Sequence, residues 1–134
     1  MDKKIIIDGK NAILGRLASY AAKQALLGKD IVILNCDDVV VSGNPKMVIN
    51  EYHDIRKKGG ASLRGPFFPK QSERLVKRTI RGMLSHRQGR GEAALNRIMC
   101  YKEIPAEYKE VKKVIAGKEK NVKTIKLKDL EAEI

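Results

Sequence analysis

The chain reads as an α/β domain built on a parallel sheet, with a basic loop-and-helix extension, and three observations carry that expectation. Ile5-Ile6-Ile7 and the run Asp30 to Asn35 are short and apolar without polar alternation, the pattern of strands buried on both faces. Between them Leu14, Leu17, Ala18, Ala21, Ala22, Ala25 and Leu26 recur at helical spacing, so strand, helix and strand form a crossover, which is right-handed in nearly all proteins. The formal charge of +12 is local: residues 56–91 hold eleven Lys or Arg against the single acid Glu73, while 1–55 are balanced and 92–134 carry a slight excess. A segment this basic repels itself and gains most against a polyanion.

At 134 residues the chain is expected to be one domain, 1–134, able to bury roughly two-thirds of its unfolded surface. Aromatics are sparse and Trp is absent, so the core must be aliphatic. The apolar run at the amino terminus is too short for a signal-peptide core and no stretch approaches a membrane span, so a cytoplasmic protein without membrane contact is expected. Cys36 and Cys100 share no CxxC, and His53 and His86 have no ligand spacing to them. No metal or disulfide is expected, and the cysteines read as two small buried hydrophobes.

In order, the first strand covers about residues 4–8 and closes at Asp8-Gly9. The alanine-rich helix follows, with Asn11 placed to cap its start and Gly28 its end. Asp30 to Asn35 is the second strand and Val39 to Val41 a third. Ser42-Gly43-Asn44-Pro45 is a turn able to cap a helix with Pro at its first position. That helix runs to about Arg56 on an inner stripe of Met47, Val48 and Tyr52. Residues 59–69 lack periodicity, and the loop from Lys57 to Pro69 is expected to be mobile in the free protein. Phe67-Phe68 reads either as a base-stacking pair or as an anchor of that loop.

Ser72 to Leu84 is an amphipathic helix. Leu75, Val76, Thr79, Ile80, Met83 and Leu84 cover an arc of about 180°, and Arg74, Lys77, Arg78 and Arg81 share an opposite arc of about 100°. A solvated face normally interleaves signs, whereas these four cations repel one another, a cost that an anionic partner removes. Arg87 and Arg90 extend the basic run through a Gly-Arg turn, with Gly89-Arg90-Gly91 breaking the chain before a short helix from Glu92 to Asn96. Ile98 to Tyr101 reads as the fourth strand. In the tail, Val122 to Leu127 reads as extended and Asp129 to Ile134 as a weak helix, either docked or ordered only against a partner.

Chemistry weighs less than binding. Gly9 to Arg16 has one residue too many for a P-loop and is not GxGxxG, so it reads as a βα turn plus a glycine admitting close helix packing. Asp8, Asp37 and Asp38 lie near strand ends, where open α/β sheets often bind ligands, but without a partnered nucleophile they read as turn formers. The alternative is a nucleotide-binding or nucleic-acid-processing α/β enzyme, with the basic segment steering its substrate. RNA is favoured over DNA because no reading helix, finger or zipper is visible.

Several segments together resemble one family. Ile7-Asp8, Leu14-Gly15-Arg16-Leu17-Ala18-Ser19, Val32-Ile33-Leu34-Asn35, Val41-Ser42-Gly43-Asn44, Arg81-Gly82-Met83-Leu84 and Ala93-Ala94-Leu95 look like the large-subunit ribosomal protein L-thirteen family in its shorter archaeal and eukaryotic style. The resemblance implies a three-layer α/β/α sandwich with a mostly parallel four-stranded sheet. It implies a non-enzymatic protein that binds large-subunit ribosomal RNA, meets neighbouring large-subunit proteins, supports assembly and translation, and takes no cofactor or small-molecule substrate. It carries RNA contact onto Arg81, Gly82, His86 and Arg90, and onto Arg16, Lys57, Lys58 and Arg64. The chain has Ser85 where the family often has Pro, so the abrupt helix stop of a proline is not imposed.

Overall fold

Ile7, Ile31 and Ile33 lie wholly out of water because their strands are the inner members of a parallel sheet. The structure is a computed structural model that describes residues 4–57, 71–85, 87–109, 114–115 and 123–133. β1 (Lys4–Asp8) leads through α1 (Leu14–Leu26) to β2 (Asp30–Leu34), and the two strands pair in parallel with Ile5 opposite Ile31 and Ile7 opposite Ile33. β4 (Ile98–Cys100) adds to the far side of β2, and the two-residue β5 (Val114–Ile115) to the far side of β1. The order is β4-β2-β1-β5, and all three pairings are parallel.

The sheet explains the unbroken apolar runs. Ile7, Ile31, Ile33 and Ile98 belong to the cluster that includes the inner face of α1, whereas Ile6, Val32 and Leu34 pack with Tyr101, Ile104 and Tyr108. Both faces are therefore covered, and the central strands keep polar side chains only at their ends, Lys4, Asp8 and Asp30. The second covering, among the described residues, is the irregular segment after β4 with its 3₁₀ turn at Ala106–Tyr108, not an α-helix. The expected α/β architecture forms with helical packing on one face and this lighter layer on the other.

Ala18, Ala21 and Ala25 are fully buried along α1, where small side chains let it lie close to its neighbours. Its end is a Schellman turn: the Gly28 N–H donates to the Ala25 carbonyl at 3.0 Å and the Lys29 N–H to the Gln24 carbonyl at 3.2 Å. Gly28 adopts φ +94°, a conformation that favours glycine. Its start differs from expectation. Asn11 does not cap the helix; it sits earlier, in a left-handed turn at φ 61°, and α1 begins after Ile13 without a side-chain cap. An Asn tolerates that conformation better than most residues.

The third strand also departs from expectation. β3 (Val40–Ser42) is not in the main sheet but pairs antiparallel with β6 (Thr124–Lys126), Val41 opposite Ile125. Chain length decides this. After Leu34 the chain turns through Asn35, at φ 57°, and the 3₁₀ turn Cys36–Asp38, far too short a link for a parallel crossover, which needs roughly ten residues or more. The fourth place in the sheet falls to β5.

α2 (Pro45–Lys57) starts as its sequence predicts: the Lys46 N–H donates to Asn44 Oδ1 at 3.0 Å, with Pro45 at the first helical position. Val48 is buried and Tyr52 packs on the core, but Met47 is 70% exposed and does not join them. Ile49 takes that place, three positions before Tyr52 and so beside it on the inner face. α3 (Ser72–Met83) and α4 (Gly89–Asn96) follow. Gly89-Arg90-Gly91 is thus the first turn of α4, not a break before it. α3 stops without a proline, Leu84 being extended at φ −109° and ψ 149° with its side chain buried.

The tail is docked over residues 123–133. Leu127 and Leu130 of α5 (Leu127–Glu133) are completely buried, and the Leu127 N–H donates to the Val39 carbonyl at 2.8 Å. Lys102 Nζ lies 2.7 Å from Glu131 Oε1, and Lys126 Nζ lies 3.7 Å from Asp38 Oδ1. Cys36 and Cys100 are free thiols that meet across the fold; the hydrogen bond between them, together with burial, pushes the Cys36 thiol well above its ordinary range. Cys36 behaves as the expected small hydrophobe, while Cys100 is only half-buried.

Candidate nucleic-acid interface

α3 is held by one face and displays the other. Leu75, Val76 and Ile80, with Leu84 just beyond, are buried against the core, each worth about 1.5–3 kcal/mol of transfer free energy when fully buried. At its start, Ser72 Oγ donates to Asp37 Oδ1 at 2.5 Å, which ties the helix to the turn after β2. Met83 is 46% exposed and does not belong to the inner face. Its position beside the helix end places it past the edge of the core.

The opposite face carries the cations. Arg74 and Arg81 are exposed, and Lys77 and Arg78 are half-buried. Among the described residues, Arg74, Lys77 and Arg81 have no carboxylate within ion-pair distance. Arg87 and Arg90 are exposed at and before the first turn of α4, where a helix dipole disfavours positive charge. Arg16 is exposed on α1. Lys58, Arg64 and His86, the side chain of Lys57, and the pair Phe67-Phe68 lie outside the described residues.

Gly82, expected at the RNA contact, and Gly15, in the stretch read as a βα turn with a packing glycine, both differ from Gly9. A Cβ on Gly9 would stand 2.8 Å from the Leu34 carbonyl oxygen and from Val39 Cγ2, so close packing of the βα turn requires glycine there. Gly15 and Gly82 lie in helices, and a Cβ on either would meet nothing within 4 Å. The glycine that admits close packing is therefore Gly9, not Gly15.

A groove of about 460 Å³ runs beside the basic face. Glu73, Arg74, Lys77, Arg78 and Arg81 line it from α3, and Leu95, Met99 and Cys100 from α4 and β4. Leu95, Met99 and Cys100 were not legible as site residues. They reach the helix face only through packing of α4 and β4 against it, and nothing local in the sequence marks them.

The carboxylates of the enzyme alternative are engaged in structure. Asp8 Oδ1 accepts from the Lys10 N–H at 3.1 Å and from Asn35 Nδ2 at 2.9 Å, Asp37 accepts from Ser72, and Asp38 pairs with Lys126. Among the described residues there is no group of three or more side chains able to hold a metal ion, and no helix is long and apolar enough to cross a membrane.

An α/β domain that shows four cations on one helical stripe, with no acid between them on that face, defines a class of proteins made to meet a polyanion. The chain belongs to the family of ribosomal protein L13, whose model matches residues 2–107. It is similar to the large ribosomal subunit protein uL13 of Methanosarcina barkeri, 42% identical over 110 residues, covering 81% of this chain and 78% of that protein. The uL13 protein of Methanococcoides burtonii is 41% identical over 105 residues, 78% of this chain and 75% of the relative. That of Caenorhabditis elegans is 39% identical over 117 residues, 86% of this chain and 58% of the longer relative.

Proposed function

We propose that this protein is a structural, non-enzymatic constituent of the large ribosomal subunit in the cytoplasm. It binds large-subunit ribosomal RNA, sits among neighbouring large-subunit proteins, and supports assembly and translation. The observation that carries the RNA contact is the stripe of Arg74, Lys77, Arg78 and Arg81 on a helix whose other face is locked into the core. Such a face is rigid, so its charges are placed before RNA arrives and little ordering is lost on binding. Gly82, Arg87, Arg90 and Arg16 lie on the same reading, as do Lys57, Lys58, Arg64 and His86.

Phosphate contacts of this kind release counterions, so the logarithm of affinity for purified large-subunit ribosomal RNA should fall linearly with the logarithm of salt concentration. The double reversal Arg74→Glu with Arg81→Glu should reduce affinity at low salt by two orders of magnitude or more and leave the circular dichroism spectrum unchanged, since both side chains are exposed. A flat salt response, or a reversed variant that binds as before, refutes the contact.

A further inference from the structure

The groove between α3, α4 and β4 is unlike the basic face it adjoins. A surface made only to follow a phosphate backbone needs cations and water, yet this one opens onto apolar surface from Leu95 and Met99. Met99 is 50% exposed, and its thioether is polarisable and adaptable, suited to lie against a flat aromatic ring. Beside the stripe of four cations, not within it, stands one acid, Glu73, which lines the groove and whose Oε2 is buried with no hydrogen-bond partner among the described residues. A phosphate cannot satisfy that oxygen, because it brings no donor and repels the carboxylate. A base can.

We propose that this groove seats a single unstacked base of the bound RNA, one that carries an exocyclic amino group, with its face on Leu95 and Met99 and its amino group donating to Glu73. Arg74 and Lys77 on the rim hold the flanking phosphates. Adenine, cytosine and guanine offer such an amino donor. Uracil offers only an imino N–H set between two carbonyl oxygens, which would face the carboxylate with like charge. Single-stranded bases splayed from folded RNA are the usual targets of sequence-selective recognition. The volume of about 460 Å³ leaves room for a base with part of its sugar. The charge on the rim selects a polyanion over a basic neighbouring protein, whose cations would meet cations.

This inference rests on the ribosomal-RNA reading, but its first readout uses free nucleotides alone. With ¹³C-methyl methionine in the full chain, the Met99 methyl signal should move saturably on titration with AMP, CMP or GMP. UMP should bind at least several-fold more weakly, and ribose 5-phosphate should leave the signal in place. Glu73→Gln should level the difference between CMP and UMP while the salt-dependent affinity for ribosomal RNA persists. Equal movement of Met99 with ribose 5-phosphate or UMP, or no movement with any nucleotide, overturns the base site. Tighter occupation by an acidic amphipathic peptide than by any nucleotide would assign the groove to a protein partner and overturns it as well. If Met99 fails to respond while ribosomal RNA still binds with steep salt dependence, the groove alone is refuted; if both fail, the RNA reading falls.

Discussion

At Gly82 the fold and the proposed RNA contact make opposite demands. It lies one position before the end of α3, is exposed, has no positive φ, and would present an added Cβ to open space. Nothing among the described residues requires glycine there. Replacing glycine by alanine in a helix interior gains about 0.8–1 kcal/mol, and the final turn should return about half, roughly 0.5 kcal/mol. For a chain of this size that corresponds to a rise in Tm of about 2 °C. If RNA backbone approaches the helix beside Arg81, the same methyl holds it off. A tenfold loss of affinity, about 1.4 kcal/mol, is then expected for Gly82→Ala. Thermal denaturation followed by circular dichroism and filter binding to large-subunit ribosomal RNA at fixed salt measure the two effects on one preparation. A lower Tm would show that the fold itself needs the glycine. A higher Tm with unchanged binding would place the RNA elsewhere.

Two further outcomes follow from the packing. Leu130→Ala should destabilise the protein by about 2–5 kcal/mol in urea unfolding, because Leu130 is the completely buried side chain by which the docked tail enters the core; a loss below about 0.5 kcal/mol would mean the tail contributes nothing to the core. Iodoacetamide at pH 8 should label Cys100 in the native protein and spare Cys36, whose thiol is buried and held above its ordinary pKa by Cys100 and by burial; labelling of both at one rate would refute their arrangement.

Sequence by itself determined the elements whose signal is local. The run of Ile5 to Ile7, the alanine periodicity of α1 and the Asn44-Pro45 start of α2 each state a conformation in a few adjacent residues, and the structure follows them. The basic stripe of α3 was legible for the same reason, since helical periodicity alone separates Arg74, Lys77, Arg78 and Arg81 from Leu75, Val76 and Ile80. Tertiary structure decided what depends on distant partners. β3 looked like a sheet strand, but the short link after Leu34 excluded a crossover and sent it to β6, more than 80 residues along the chain. Leu127, read as the end of an extended piece, and Leu130, in a segment read as a weak helix, both fall in α5, where docking on Val39 and its neighbours buries them. The groove is the clearest case. Glu73, Leu95 and Met99 carry no shared motif, and only the packing of α4 and β4 beside α3 brings an apolar surface and an unpartnered carboxylate oxygen to the edge of the basic face, because proximity across a fold leaves no trace in local periodicity.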